Sequence, residues 1–181
     1  MEGEDLNEDL GKRGNKLIED NIHDKVIYAL RGDFGQGLVV TDSAVYVLKW
    51  GFQSGLTFGG RCTPYSYSNI ITVQIQKKLT SKFLEIITAG NQDKALSYWA
   101  SRGKSNNAIE APNAVTFSNK SVNKFQAMAT YLNDRVANAK SPHSHPSVDV
   151  TSELEKYAEL HKKGIITQEE FAAKKKQLLG L

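Results

Sequence analysis

Lys25–Trp50, KVIYALRGDFGQGLVVTDSAVYVLKW, decides the fold. Apolar runs rich in β-branched and aromatic residues are broken at Asp33, Gly35 and Gly37, and again at Thr41, Asp42 and Ser43. Turn residues between β-prone runs predict consecutive antiparallel strands.

The same pattern continues on the C-terminal side. Strands are expected at Val26–Arg31, Gly37–Thr41, Ala44–Trp50, Leu56–Tyr67, Ile70–Gln76, Phe83–Ala89 and Ala95–Trp99, with Ala114–Phe117 a short extra. Alternation in Ile71–Gln76 sets Ile71, Val73 and Ile75 toward a core and Thr72, Gln74 and Gln76 outward. Ala100–Asn113, poor in large apolar residues, reads as a long polar loop. The period then changes: Val122, Phe125, Met128, Ala129, Leu132 and Val136 recur at three and four, the stripe of an amphipathic helix of about twenty residues. Strands at short spacing followed by one helix give an α+β fold, a bent antiparallel sheet or partial barrel of about seven strands capped by that helix.

On the N-terminal side, Met1–Gly14 is rich in Glu, Asp and Gly and is expected to be an acidic, flexible leader. Leu6 and Leu10 would allow one amphipathic turn if something received them. Lys16–Ile22 could form a short helix with Leu17, Ile18 and Ile22 on one side. The net charge of +3 conceals a division. Residues 1–20 carry three basic and seven acidic side chains, residues 21–140 carry fourteen and seven, and residues 141–181 carry six of each. The middle of the chain is therefore the electrostatic surface, against which the leader could lie.

SPHSHPSVDV, residues 141–150, reads as an extended linker. Thr151–Leu181 then gives a helix, a stop at Gly164, and a second helix opened by Thr167 with Glu170 three later, a capping box. Leu154, Tyr157 and Leu160 line the first helix, Ile165 and Ile166 the connection, and Phe171, Leu178 and Leu179 the second. About thirty residues bury too little surface to fold securely without a metal, a disulfide or a partner, so these eight side chains are the assembly candidates.

Two resemblances add to this reading. KVIYALRG followed by GLVVTDSAVYVLKW, with YSNIITVQI midway, resembles the bacterial pleckstrin-homology-like (PH-like) domains of the YokE type over about residues 15–140. The tail, with a leucine-bearing helix, GIITQEEF and KKKQLL, resembles the short C-terminal domain called SHOCT. That resemblance implies a bacterial or phage protein and a role in assembly.

Chemistry is sparse. Asp33-Phe34-Gly35 and Arg31-Gly32-Asp33 spell known triplets without the sequence context those functions need, and Gly35-Gln36-Gly37 fits a turn better than a nucleotide cradle. His143 and His145 could share a metal with His23 or His161, but a flexible linker supplies no fixed geometry. The lone Cys62 is expected to be a small strand residue. Trp50, Phe52 and Phe58 flank a glycine-rich segment and could form an aromatic patch. Lys77, Lys78 and Lys82 make the best anion-binding candidate, which Arg102 and Lys104 could extend. Nucleic acid is disfavoured, since no exposed aromatics interleave with these lysines. With no apolar run of spanning length and no secretory leader pattern, a cytoplasmic location is expected. The reading is of a non-enzymatic protein without a cofactor. Its PH-like domain meets a protein partner, its hairpin drives homo-oligomerisation, and the lysine turn could meet an anionic membrane surface.

Overall fold

Three hairpins in succession build the first sheet. The structure, a computed structural model, describes residues 6–52, 59–77, 82–91, 95–97, 100–101, 103–104, 106–140 and 157–179, with side chains to Lys176. β1 (Val26–Gly32), β2 (Gln36–Thr41), β3 (Ala44–Trp50) and β4 (Gly60–Ser66) form an antiparallel sheet in chain order. β5 (Ile70–Lys77), β6 (Lys82–Thr88) and β7 (Ala114–Thr116) form a second. The two sheets do not close into a barrel. The chain divides into two compact units, residues 1–140 and 141–181.

The turn residues expected from the sequence do their work in φ/ψ space. The β1–β2 turn puts Phe34 at φ 56° and Gly35 at φ 70°. A Cβ on Gly35 would fall 2.0 Å from the Trp50 carbonyl oxygen, so glycine is needed for close approach as well as for conformation.

Leu38, Val40, Val45 and Val47 of the first sheet face Val73, Leu84, Ile86 and Val115 of the second, and all are buried. The helix α2 (Val122–Lys140) closes this core with Phe125, Met128, Leu132 and Val136. Phe117 and Phe125 stack with ring centroids 4.2 Å apart. The opposite face of the first sheet is covered as well. There α1 (Gly11–Asn21) packs Leu17 and Ile18, with Leu10 and Ile22 at its ends, on Val39, Leu48 and Trp50.

Four expectations need correction. Ile71 is 43% exposed, while Ile70 and Val73 are buried. A register shift between Ile70 and Thr72 changes the phase of the strand at its start. The seventh strand is Ala114–Thr116, paired with β6. Within Ala95–Trp99 only an isolated Ser97–Asn107 bridge forms, residues 98–99 lying outside the described residues. The fourth strand begins at Gly60, residues 56–58 also lying outside them.

The last correction concerns the leader. From Leu6 onward it packs against the fold: Leu6 is 4% and Leu10 1% exposed. The helix begins at Gly11, ahead of the expected Lys16, because Asp9 accepts from the Gly11 N–H (2.8 Å) and the Asn15 side-chain amide (2.7 Å). Those bonds hold the Asp9 carboxyl below its ordinary range and satisfy a donor at the helix start.

The polar loop also has a structural task. Ala108 and Ala111 pack on Phe83, and Asn113 donates to the Ile86 carbonyl (3.1 Å) and to Glu85 (3.4 Å). These contacts cover the outer face of β6, where Glu85 is buried and its carboxyl is pushed up by desolvation.

Candidate functional site

A recess lies where α1 crosses β3 and β4. Two glycines make the crossing close. A Cβ on Gly14 would stand 3.0 Å from Trp50 Cη2, and one on Gly60 2.5 Å from Leu17 Cδ1. Between these contacts a cleft of about 310 Å³ opens, with Trp50 and Leu17 as apolar wall and Arg13 and Lys16 at the rim. A second recess of about 300 Å³ is also lined by Trp50, with Phe34, Phe52 and again Arg13. Lys16 pairs with Asp20 at 3.3 Å along the helix. Arg13 thus adds a positive charge common to both recesses. The arrangement suits a ligand with an apolar group for Trp50 and an anionic group for Arg13. Of the aromatic patch expected there, Trp50 is 8% and Phe52 63% exposed, and Phe58 lies outside the described residues.

Of the lysine turn, Lys77 and Lys82 stand directly opposite one another across β5 and β6. Lys78 lies outside the described residues, as does Arg102. Like charges directly opposed across strands repel, so an anion here would relieve a standing cost.

Sequence reasoning missed a row of polar side chains inside the sandwich. Gln36, Lys49 and Arg61 are successive cross-strand neighbours on β2, β3 and β4. Lys49 is fully buried and donates to Gln36 Oε1 (2.8 Å) and the Ile109 carbonyl (2.7 Å). Arg61 donates to the Glu110 carbonyl (2.7 Å). Gln36 completes the row by donating to Thr116 Oγ1 (2.9 Å) and accepting from the Thr116 N–H (3.0 Å). Burial, and then the charge of Arg61, pull the Lys49 amine well below the usual lysine range, with Glu110 opposing. A desolvated amine is a nucleophile in the right setting, yet Lys49 lines neither recess and spends two donors on carbonyl oxygens. It anchors the 107–113 segment to the mouth of the sandwich. Alternation with Val45 and Val47 was the available signal, since it places Lys49 on their face.

Cys62 packs half-buried in the α1 cluster, and desolvation raises its thiol pKa. His143 and His145 lie outside the described residues. No helix among the described residues is long and apolar enough to cross a membrane.

In the C-terminal unit, residues 157–162 are helical and α3 spans Gln168–Leu179. Gly164, at φ 69°, ends the first helix, with the Ile165 N–H on the Leu160 carbonyl (3.0 Å) and the Gly164 N–H on that of His161 (2.9 Å). This is the Schellman pattern. The capping box closes from both sides: Glu170 Oε2 accepts from the Thr167 N–H (2.8 Å), and Thr167 Oγ1 accepts from the Glu170 N–H (3.2 Å). The helices meet through His161 stacked on Phe171, with centroids 5.5 Å apart, and Lys174 Nζ 5.7 Å from the Tyr157 ring centroid. Residues 152–179 match the family model described as Short C-terminal domain, SHOCT. This segment is a SHOCT domain. No curated protein and no solved structure matches the chain. Of the assembly candidates in the SHOCT domain, Ile165 is 66% exposed. Tyr157, Leu160, Ile166 and Phe171 are half-buried, while Leu154 and the side chains of Leu178 and Leu179 lie outside the described residues.

Proposed function

We propose that this is a non-enzymatic cytoplasmic binding protein of bacterial or phage origin, in which a PH-like sandwich receives a partner protein and the SHOCT hairpin joins copies of the chain. The observation that carries the assembly half is the uncovered apolar surface of a unit too small to bury it. Ile165 is 66% exposed on a hairpin whose helices meet, among the described residues, through a ring stack and a cation over a ring. Joining weak sites raises avidity without any strong single contact. Supporting a PH-like sandwich are the four-plus-three strand arrangement and the packing of α2 into the core between the sheets. The Trp50 cleft, with its apolar wall and cationic rim, fits a peptide that pairs an apolar side chain with a carboxylate. The test is light scattering on the full chain and on its Phe171→Ala variant. An oligomer that dissociates on substitution, with circular dichroism otherwise preserved, supports the reading. A monomer in both cases refutes self-assembly.

A second reading has its own observation, the opposed Lys77–Lys82 pair. It makes the β5–β6 turn a contact for anionic lipid headgroups. Sedimentation with anionic but not neutral vesicles, lost at high salt and in Lys77→Ala/Lys82→Ala, supports it. Equal sedimentation with both vesicle types refutes it.

A further inference from the structure

The outer edge of β1 is occupied by the chain's own N-terminal segment, and the way it is held describes a recognition site. The Glu8 N–H donates to the Ala29 carbonyl (2.8 Å) and the Ala29 N–H to the Leu6 carbonyl (3.0 Å). Asn7 and Ala29 thereby form a parallel bridge. The next outward-facing amide of β1, that of Arg31, has no backbone partner in the segment. It donates instead to Glu8 Oε2 at 2.8 Å. The other carboxylate oxygen of Glu8 meets Lys124 Nζ, at the start of α2, at 2.6 Å. Both members of that pair are about three-quarters covered, with side chains 25% and 24% exposed. Two residues earlier, Leu6 enters the main core.

Each element of strand-addition binding is present: main-chain pairing for affinity, an apolar socket and a carboxylate clamp for selection. We infer that the groove between the β1 edge and Lys124 of α2 binds extended acidic segments of a partner protein, with an apolar residue two positions before a carboxylate. The chain's own residues 6–9 sit there as a displaceable competitor. Charge favours the same ligand class. Residues 1–20 carry seven acidic side chains against three basic, while residues 21–140, which build the groove, carry fourteen basic against seven acidic. Among the described residues the segment contributes one isolated bridge and no ladder, so release breaks that bridge, the Glu8 contacts and the Leu6 packing. This proposal is independent of the Trp50 cleft, which lies against α1.

A fluorescein-labelled peptide with the sequence of residues 1–10 is the probe, and the receptors are the full wild-type chain and full-length Leu6→Asp/Glu8→Lys, whose leader no longer fits. Fluorescence anisotropy is expected to show saturable binding to the variant at least tenfold tighter than to wild type, where the tethered leader competes. Binding should weaken at least tenfold when the peptide's Leu6 or Glu8 equivalent is replaced by Asp or Lys respectively. Equal affinity for both receptors, or no binding to the folded variant, overturns the proposal. Should the variant fail to fold, hydrogen exchange on the wild-type chain decides. The amides of Glu8 and Ala29 are expected to exchange well before those of Val39 and Val47. Exchange of all four only through global unfolding would overturn displacement.

Discussion

Replacing Leu6 by alanine tests whether the N-terminal segment is part of the fold. Leu6 is 4% exposed and packs with the residues that join both sheets to α2. The truncation removes three buried carbons, at about 0.8 kcal/mol each a transfer loss of about 2.4 kcal/mol. The residual cavity carries buried Leu→Ala changes toward about 3 to 5 kcal/mol. The segment can also undock, which caps the loss at the free energy of that local opening. We expect about 2.5 to 4 kcal/mol from urea unfolding, read as a shift in midpoint at constant slope. At roughly 2 to 4 °C per kcal/mol for a chain of this size, the melting temperature should drop by roughly 5 to 15 °C. Ile71→Ala, at a side chain 43% exposed, is the control, expected to cost less than about 1 kcal/mol. A Leu6→Ala loss below about 0.5 kcal/mol, the range of ordinary surface changes, would refute the reasoning that Leu6 is a stably docked part of the core.

Lys82→Glu turns the opposed Lys77–Lys82 pair into an attractive one. It should raise unfolding stability by about 0.5 to 1 kcal/mol while removing any salt-sensitive binding to anionic vesicles. Gly35→Ala forces a Cβ into a left-handed position 2.0 Å from the Trp50 carbonyl. It is expected to cost more than the roughly 1 to 2 kcal/mol of backbone strain alone, measured by thermal unfolding. In the SHOCT domain, the Thr167 N–H and hydroxyl hold the Glu170 carboxyl below its ordinary value of 4.5. A carboxyl depressed in the folded state contributes stability that is present above its unfolded pKa and is lost as pH falls through the folded one. Helical ellipticity of the tail should therefore fall below about pH 4.5, and Glu170→Gln should flatten that dependence.

Elements governed by local rules were legible in the sequence. The three hairpins follow from turn residues between β-branched runs, α2 from a stripe at three and four, and the tail from a capping box and Gly164. What failed depends on distant partners. Leu6 and Leu10 look like isolated leucines in an acidic leader because what receives them lies farther along the chain: the cluster with Leu38, Val115 and Phe125 for Leu6, and that with Ala29, Val39 and Trp50 for Leu10. Ala114–Thr116, expected as a short extra run, becomes the third strand of the second sheet through its pairing with β6, while Ala95–Trp99, expected as a full strand, gives an isolated bridge among its described residues. The shift at Ile70–Thr72 inverts the facing of Ile71 because one residue of slip moves a side chain to the other face. The Trp50 cleft carries no motif either. It exists because Gly14 and Gly60 let α1 lie close to the sheet, and close approach is a property of the pair of surfaces rather than of either stretch.

Covering the sheets also limits where a partner can add a strand. At β5, the Asn133 amide bonds both ways with the backbone of Val73, accepting from its N–H (2.8 Å) and donating to its carbonyl (2.7 Å), so α2 caps that edge. At β7, the Thr116 carbonyl accepts from the Asp33 N–H (2.8 Å) at the β1–β2 turn. β4 is paired along its length to β3 on one side, and among the described residues nothing pairs with its other side. Pro64, opposite Tyr46, stands on that edge without an N–H to offer, which interrupts any ladder a further strand could build. The β1 edge is different in kind. Its cover is residues 6–8, held by one bridge, the clamped Glu8 carboxylate and the buried Leu6 side chain. Among the four edges, β1 is the one paired with the chain's own N-terminal segment, and a partner that reads extended backbone would be selected there by the same carboxylate contacts that now hold Glu8.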